Sequence, residues 1–185
     1  MQVRMLDAAG AATHAAQLRG LLIDAVTHGA SVGFVMPFSE AAADAYWRDV
    51  GEAVASGSRI LLVAWREHVM VGTVQLDLCT KPNGVNRAEV QKLLVHSGAR
   101  RGGAATALMA AAEMQALALR RGLLFLDTEA GSGAEALYQR LGYTRVGELP
   151  EYCATPDGAW RATAIYYKTL FVRDRQAHDG QGLRA

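Results

Sequence analysis

The residues that first suggest chemistry lie at 100–106, Arg-Arg-Gly-Gly-Ala-Ala-Thr, where an extended apolar run through Val95 meets an alanine-rich run of helical character. The first turn of a helix leaves backbone N–H groups without internal partners and carries the positive end of the macrodipole. Gly102, Gly103, Ala104 and Ala105 keep bulky side chains out of the way, so a phosphate can approach those amides, while Arg100 and Arg101 add charge. The same residues also suit a tight strand-to-helix turn with packing glycines and solvated arginines. Two phosphate-binding patterns are excluded: there is no GxxxxGK[ST], and "GARRGGAA" does not form GxGxxG.

Such a junction needs a strand before it and a helix after it, and the periodicity supplies both. Residues 87–95 read as a strand, and 103–121 as a helix in which Thr106, Glu113 and Arg120 share one stripe while Leu108, Met109, Ala112 and Leu119 lie elsewhere. Gly122 is the expected C-cap. Upstream, residues 3–6 are a short extended piece and 11–26 a helix with Leu18, Leu21, Leu22 and Ala25 on one face. The turn "THGASVGF" follows, and Ser39 is the expected N-cap of a helix running to Ser56. Residues 59–79 form a half-buried hairpin, since Val74, Leu76 and Leu78 alternate with Thr73, Gln75 and Asp77. Downstream, "LLFLD" is a strand covered on both faces, "SGAEALYQRLG" a helix, and "YTRVGE" and "ATAIYYKTL" two closing strands. This order predicts an α/β or α+β domain with a mixed sheet over residues 1–172, and a flexible tail at 173–185, where periodicity is lost.

With 185 residues, 51% of them apolar and 20% charged, the chain suits one compact domain with a real core. The net charge of +1 leaves no basic footprint for nucleic acid or an anionic membrane, so neither is expected as a partner. Cys79 and Cys153 form no CxxC, and the five histidines make no HExxH, so neither a disulfide framework nor a metal is expected. Charged residues interrupt the N-terminal segment, which does not read as a signal peptide. No apolar run approaches the ~18 residues of a membrane span. These features predict a soluble, cytoplasmic protein.

Arg100, Gly103 and Ala105 spell R-x-x-G-x-A, and "AEALYQRLGY", residues 134–143, carries a tyrosine shortly before a Gly-Tyr pair. The first resembles the acetyl-coenzyme A signature Q/R-x-x-G-x-G/A of the GNAT N-acetyltransferases, and the second resembles that family's later motif. Longer phrases, among them "THGASVGF", "KPNGVNRAEVQKL" and "YTRVGELPEYCATPDG", are similar to its tabtoxin-resistance branch over most of residues 27–170. Two positions depart from the common pattern: Ser97 stands near where many members have proline, and Gly131 near where many have an asparagine that helps hold the pantetheine arm.

The resemblance implies a mixed, mostly antiparallel sheet of about seven strands flanked by about four helices, in which parallel central strands ending at Val95 and Asp127 splay apart. The pantetheine arm of acetyl-CoA would lie between them. Leu93, Leu94 and Val95 would hold it through the backbone, as an added strand is held, with Ser132 in place of the missing asparagine. Arg100, Arg101, Gly102, Gly103, Ala104, Ala105 and Thr106 would cradle the diphosphate. Transfer to nitrogen needs a neutral amine, yet an alkyl ammonium has a pKa of ~10.4, so a base is required. Glu89 and Asp127 are the candidates; the other reading pairs Glu89 with Arg87 or Lys92 and makes Asp127 a cap or turn residue. Tyr138 is the implied general acid for the leaving sulfur, or else a packing aromatic, and Tyr143 is expected in the core. "THGASVGF" and the loop "ELPEYCATPDG" would wall the acceptor cleft, with Trp47 and Trp160 lining it or anchoring the core. Cys153 is expected to be a small buried residue, not a nucleophile. The implied activity is direct acetyl transfer in a ternary complex to a small amine, such as the amino-acid-like antimetabolite tabtoxinine-β-lactam. Acetylation of a protein or peptide and non-catalytic acyl-CoA sensing are the alternatives. Family behaviour also implies a homodimer.

Overall fold

The structure, a computed structural model, describes residues 1–171; the expected tail at 173–185 lies outside them. In chain order the elements are β1 (Gln2–Leu6), α1 (Ala8–Thr13), α2 (Ala15–Thr27), α3 (Glu40–Ala55), β2 (Arg59–Arg66), β3 (Val69–Leu78) and β4 (Arg87–Val95). They continue with α4 (Ala104–Ala118), β5 (Leu123–Glu129), α5 (Gly133–Arg140), β6 (Thr144–Ala154) and β7 (Trp160–Thr169). The strands form one seven-stranded sheet in the order β1-β2-β3-β4-β5-β7-β6. Every pairing is antiparallel except β4 with β5.

Helices cover both faces of the sheet's first half. On one side Leu108, Met109 and Ala112 of α4 pack on Leu62, Val74 and Leu76. On the other, Leu18, Leu22, Trp47 and Val50 of α2 and α3 pack on Leu61 and Val63. The hairpin is therefore not half-buried as its alternation suggests: Thr73 and Gln75 are fully buried. They are accommodated because each finds a partner, which buried polar groups require. Thr73 Oγ1 donates to the Leu62 carbonyl at 3.0 Å, and Gln75 Nε2 donates to Tyr46 Oη at 2.9 Å.

Other expectations are corrected by local chemistry. The first helix starts earlier, because Asp7 caps it by accepting from Gly10 N at 2.7 Å, and it breaks at His14. That ring lies edge-on to Trp65 at 5.0 Å and meets Gln17 Oε1 at 2.8 Å. Five helices result where about four were expected. Gly122 is not the C-cap of α4: Leu119 caps it, and Arg120 takes the left-handed conformation with φ 55°. Gly122 is instead needed for close packing, since a Cβ there would lie 2.8 Å from both Asn86 Oδ1 and the Phe171 carbonyl. In β5, Leu124 and Leu126 are buried but Leu123 and Phe125 are only half-covered. β6 runs on to Ala154, so most of "ELPEYCATPDG" is strand, not loop. No helix among the described residues is long and apolar enough to cross a membrane.

Candidate active site

The pairing of β4 with β5 lasts only from Arg87–Leu123 to Glu89–Phe125, after which the two strands diverge. A bulge in β4 accompanies the parting. Thr73 pairs with Leu94 but Gln75 with Gln91, so β4 uses an extra residue there, and Lys92 adopts φ 49°. Bulges bend a strand and increase its twist, which turns β4 away from its neighbour. Past the bulge the Leu94 carbonyl faces Gly72, and His96 N donates to the Val71 carbonyl at 3.0 Å. By strand alternation the backbone groups of Leu93 and Val95 then face the gap. Leu94 departs from the expectation placed on it, since its side chain is buried in the core and its carbonyl is turned toward β3.

Beyond Val95 the chain makes a 3-10 turn, Ser97–Ala99, tied to α2: Asp24 accepts from Ser97 N and Ser97 Oγ, each at 2.7 Å. Arg101 and Gly103 then take left-handed conformations with φ 61° and 82°. Gly103 is the N-cap of α4 and contributes no capping side chain; Ala107 N donates to the Gly103 carbonyl at 3.0 Å. The amides of Ala104, Ala105 and Thr106 precede that bond and have no acceptor within the helix. A Cβ on Gly103 would meet nothing within 4 Å, so the space before these amides is open. Arg100 and Arg101 are exposed. Arg66, at the end of β2, lays its guanidinium over Gly102, in the space a Cβ would occupy. Three guanidiniums and an uncapped helix start make a cradle that fits a diphosphate.

The Arg66 contact was not legible in the sequence, because nothing in its spacing links it to residue 102. Arg66→Met is expected to weaken acetyl-CoA about tenfold, the scale of one charge-assisted hydrogen bond, and to reduce the salt dependence of binding. Calorimetric titration at two ionic strengths measures both; unaltered affinity would make Arg66 a packing group.

Between the parted strands opens a cleft of about 430 Å³, lined among others by Glu89, Lys92, Leu93, Asp127, Ser132 and Tyr138. Its outer wall is residues 29–33 together with Tyr152 and Cys153. Side chains chosen separately along the sequence thus meet around one space. Ser31 Oγ lies 3.3 Å from Cys153 Sγ and Met36 N donates to the Pro156 carbonyl at 2.9 Å, which ties the wall segment to β6 and the turn after it. Trp47 is buried in the core, Trp160 is exposed on β7, and Tyr143 is buried.

Glu89 is half-buried and stands opposite Asp77 in the β3–β4 register. Burial, then the charges of Asp127 and Asp77, push its carboxyl above the usual range, against the opposing effects of Gln91 and Lys92. Among the described residues it forms no ion pair with Arg87 or Lys92. Asp127 is exposed within β5, not in a turn, and its Oδ2 accepts from Thr163 Oγ1 at 3.1 Å. Burial, reinforced by Asp127, raises the Tyr138 phenol to about 12, so it stays protonated at neutral pH. Ser132 holds the N-cap position of α5 without bonding a helix amide, and its Oγ lies 3.5 Å from Thr128 Oγ1. Sequence reasoning missed Tyr152, which it had only as part of a loop, and Lys92, whose aim depends on the bulge.

The acetyltransferase (GNAT) family model matches residues 23–143. Solved structures with the same fold include ribosomal-protein-alanine N-acetyltransferase from Brucella melitensis, with TM-score 0.74, 22% identity and 92% of this chain aligned to 100% of that one. An acetyltransferase from Salmonella typhimurium with its cofactor acetyl-CoA aligns at TM-score 0.76 and 19% identity, over 94% of this chain and 95% of that one. An aminoglycoside 6′-N-acetyltransferase complexed with coenzyme A aligns at TM-score 0.71 and 18% identity, over 94% and 99% of the two chains.

Proposed function

Because this chain belongs to the acetyltransferase (GNAT) family, and so is an acetyl-CoA-dependent acetyltransferase, we propose that its acceptor is the amine of a small molecule bound in the Glu89–Asp127 cleft. The observation that carries this is the convergence of Glu89, Asp127 and Tyr138 on one space of about 430 Å³, beside the open edge of β4. That size suits a compact amine. The phrases shared with the tabtoxin-resistance branch support an amino-acid-like antimetabolite such as tabtoxinine-β-lactam as the acceptor.

In this reading the amides of Ala104, Ala105 and Thr106, with Arg66, Arg100 and Arg101, hold the diphosphate of acetyl-CoA, and the backbone of Leu93 and Val95 grips its arm. Bound acetyl-CoA supplies an acetyl thioester at the cleft. Glu89 accepts the proton of the acceptor ammonium, directly or through one water, because its raised carboxyl pKa narrows the gap to the amine. Asp127 sustains that shift by its charge and is itself held by Thr163. N–H groups on the open edge of β4 would stabilise the negative charge that develops on the carbonyl oxygen. Tyr138 keeps its proton at neutral pH, gives it to the sulfur as the C–S bond breaks, and takes one back from the newly acylated nitrogen.

The test is thiol release from acetyl-CoA with a panel of small amines and peptides. Turnover on small amines supports the reading. Turnover restricted to peptides would replace it with peptide acetylation, and tight acetyl-CoA binding without turnover on any acceptor would make the chain a sensor. Tyr138→Phe is expected to lower kcat by about 100-fold or more with the acetyl-CoA Kd unchanged, the contribution of a positioned general acid. Unchanged kcat would remove Tyr138 as the acid.

A further inference from the structure

Lys92 is the cation of the cleft lining, and the chemistry above does not use it. It occupies the bulge of β4 with φ 49°, a conformation that costs a non-glycine residue ~1 kcal/mol or more and persists where the surroundings demand it. The consequence of the bulge is direction. A regular strand would alternate faces through residues 91–94, whereas the extra residue re-aims the side chain at position 92 into the cleft between β4 and β5.

The side chain it delivers there is partly covered. Its Nζ lies 5.7 Å from the Tyr46 ring centroid and 3.8 Å from where a Cβ on Gly33 would stand. Burial pushes its pKa below the ordinary lysine value, partly offset by the carboxylates of Asp127 and Glu89. Among the described residues no carboxylate comes within ion-pair distance of it, although Glu89 and Asp127 line the same cleft. A partly covered cation with no ion-pair partner is less favourable than a paired one. It becomes favourable once an anion arrives, because a charge-assisted contact in a shielded cleft is stronger than its surface equivalent.

The carboxylates of the same lining have the reverse character: Glu89, on β4 like Lys92, and Asp127, on β5, attract an ammonium, and Gly29 and Gly33 let a ligand approach the segment beside Lys92 closely. The carboxylates Glu89, Asp127 and Glu129 outnumber Lys92 in this lining, which alone would favour a plain polycation. A polycation, however, would have to place charge against the Lys92 ammonium. A molecule that carries both an amine and an anion satisfies both kinds of charge in the lining.

We propose that Lys92 is a specificity-determining residue that binds a carboxylate of the acceptor, so that this site takes zwitterionic amines in preference to plain amines or polyamines. This rests on the reading of the cleft as the acceptor site. The carboxylate can belong to a free amino acid or to a peptide C-terminus, and the two sources are separated by the acceptors tested.

The experiment compares matched pairs: ω-amino acids with their carboxamides, and short peptides with their C-terminal amides, in the thiol-release assay. For the wild-type enzyme the carboxylate member is expected to have a kcat/KM about tenfold higher or more, the scale of one charge-assisted contact. In Lys92→Met that ratio falls to near one, while Lys92→Arg keeps it above one. A preference confined to one series identifies the source. A wild-type ratio near one, or a ratio that Lys92→Met leaves intact, overturns the proposal and leaves Lys92 a structural partner of Tyr46. If no amine releases thiol, the acceptor reading itself has failed, and binding then decides the role of Lys92. Titration of each pair into the coenzyme A complex sustains it if a carboxylate preference is lost in Lys92→Met, and overturns it if both proteins bind both members equally.

Discussion

Glu89→Gln is expected to lower kcat/KM for the acceptor by about 100-fold to 10,000-fold, the contribution of a positioned general base, while leaving acetyl-CoA affinity unchanged. The pH profile carries the sharper signature. With Glu89 as the proposed base the active form is deprotonated, so kcat/KM is expected to fall as pH drops through its pKa. Burial and the neighbouring Asp127 and Asp77 raise that pKa, so the fall begins at higher pH than for an ordinary glutamate near ~4.3. In Glu89→Gln this limb disappears. In Asp127→Asn one raising influence is gone, so the limb moves to lower pH and the loss of rate is smaller. Steady-state rates across pH for the three proteins separate the roles. A limb that survives unchanged in Glu89→Gln would assign it to another group and remove Glu89 as the base.

The second large effect belongs to the start of α4. Gly103→Asp places a carboxylate in the open space before the amides of Ala104, Ala105 and Thr106. Two like charges ~4 Å apart at an effective dielectric of ~20 repel by ~4 kcal/mol, and solvent at this exposed loop reduces that. A loss of acetyl-CoA affinity of about 100-fold is expected. The left-handed φ of 82° costs an aspartate ~1–2 kcal/mol of stability, a cost Gly103→Asn shares. Gly103→Asn supplies nearly the same shape without the charge and should lose far less. Titration with acetyl-CoA beside thermal melts reads affinity and stability separately. Undiminished binding by Gly103→Asp would mean that the diphosphate lies elsewhere, and the reading of the cradle would go with it.

These variants rest on parts of the molecule that differ in how readily the sequence shows them. Gly102 and Gly103 at a strand-to-helix junction announce exposed amides by themselves, because the unmet N–H groups of a helix start are a property of the backbone. Glu89, Asp127 and Tyr138 were legible only through the motifs around them. Their meeting in one cleft depends on β4 and β5 pairing for three residues and then parting. The β2–β3 hairpin alternates as its sequence predicts, yet both of its faces are covered. Alternation shows which side chains share a face, but the helices that cover each face come from elsewhere in the chain.

The sequence alone determined the order of strands and helices through the glycine-rich junction, the family, and the residue types available for the proposed proton transfer. Each of these follows from contacts within a few residues or from a motif. The tertiary structure decided the rest: Arg66 over Gly102, the bulge that aims Lys92, the long reach of β6, and Asp24 holding Ser97 across 73 residues of chain. No local period encodes such contacts, because they depend on how closely two separately formed elements approach. That distance is set by packing of the whole core.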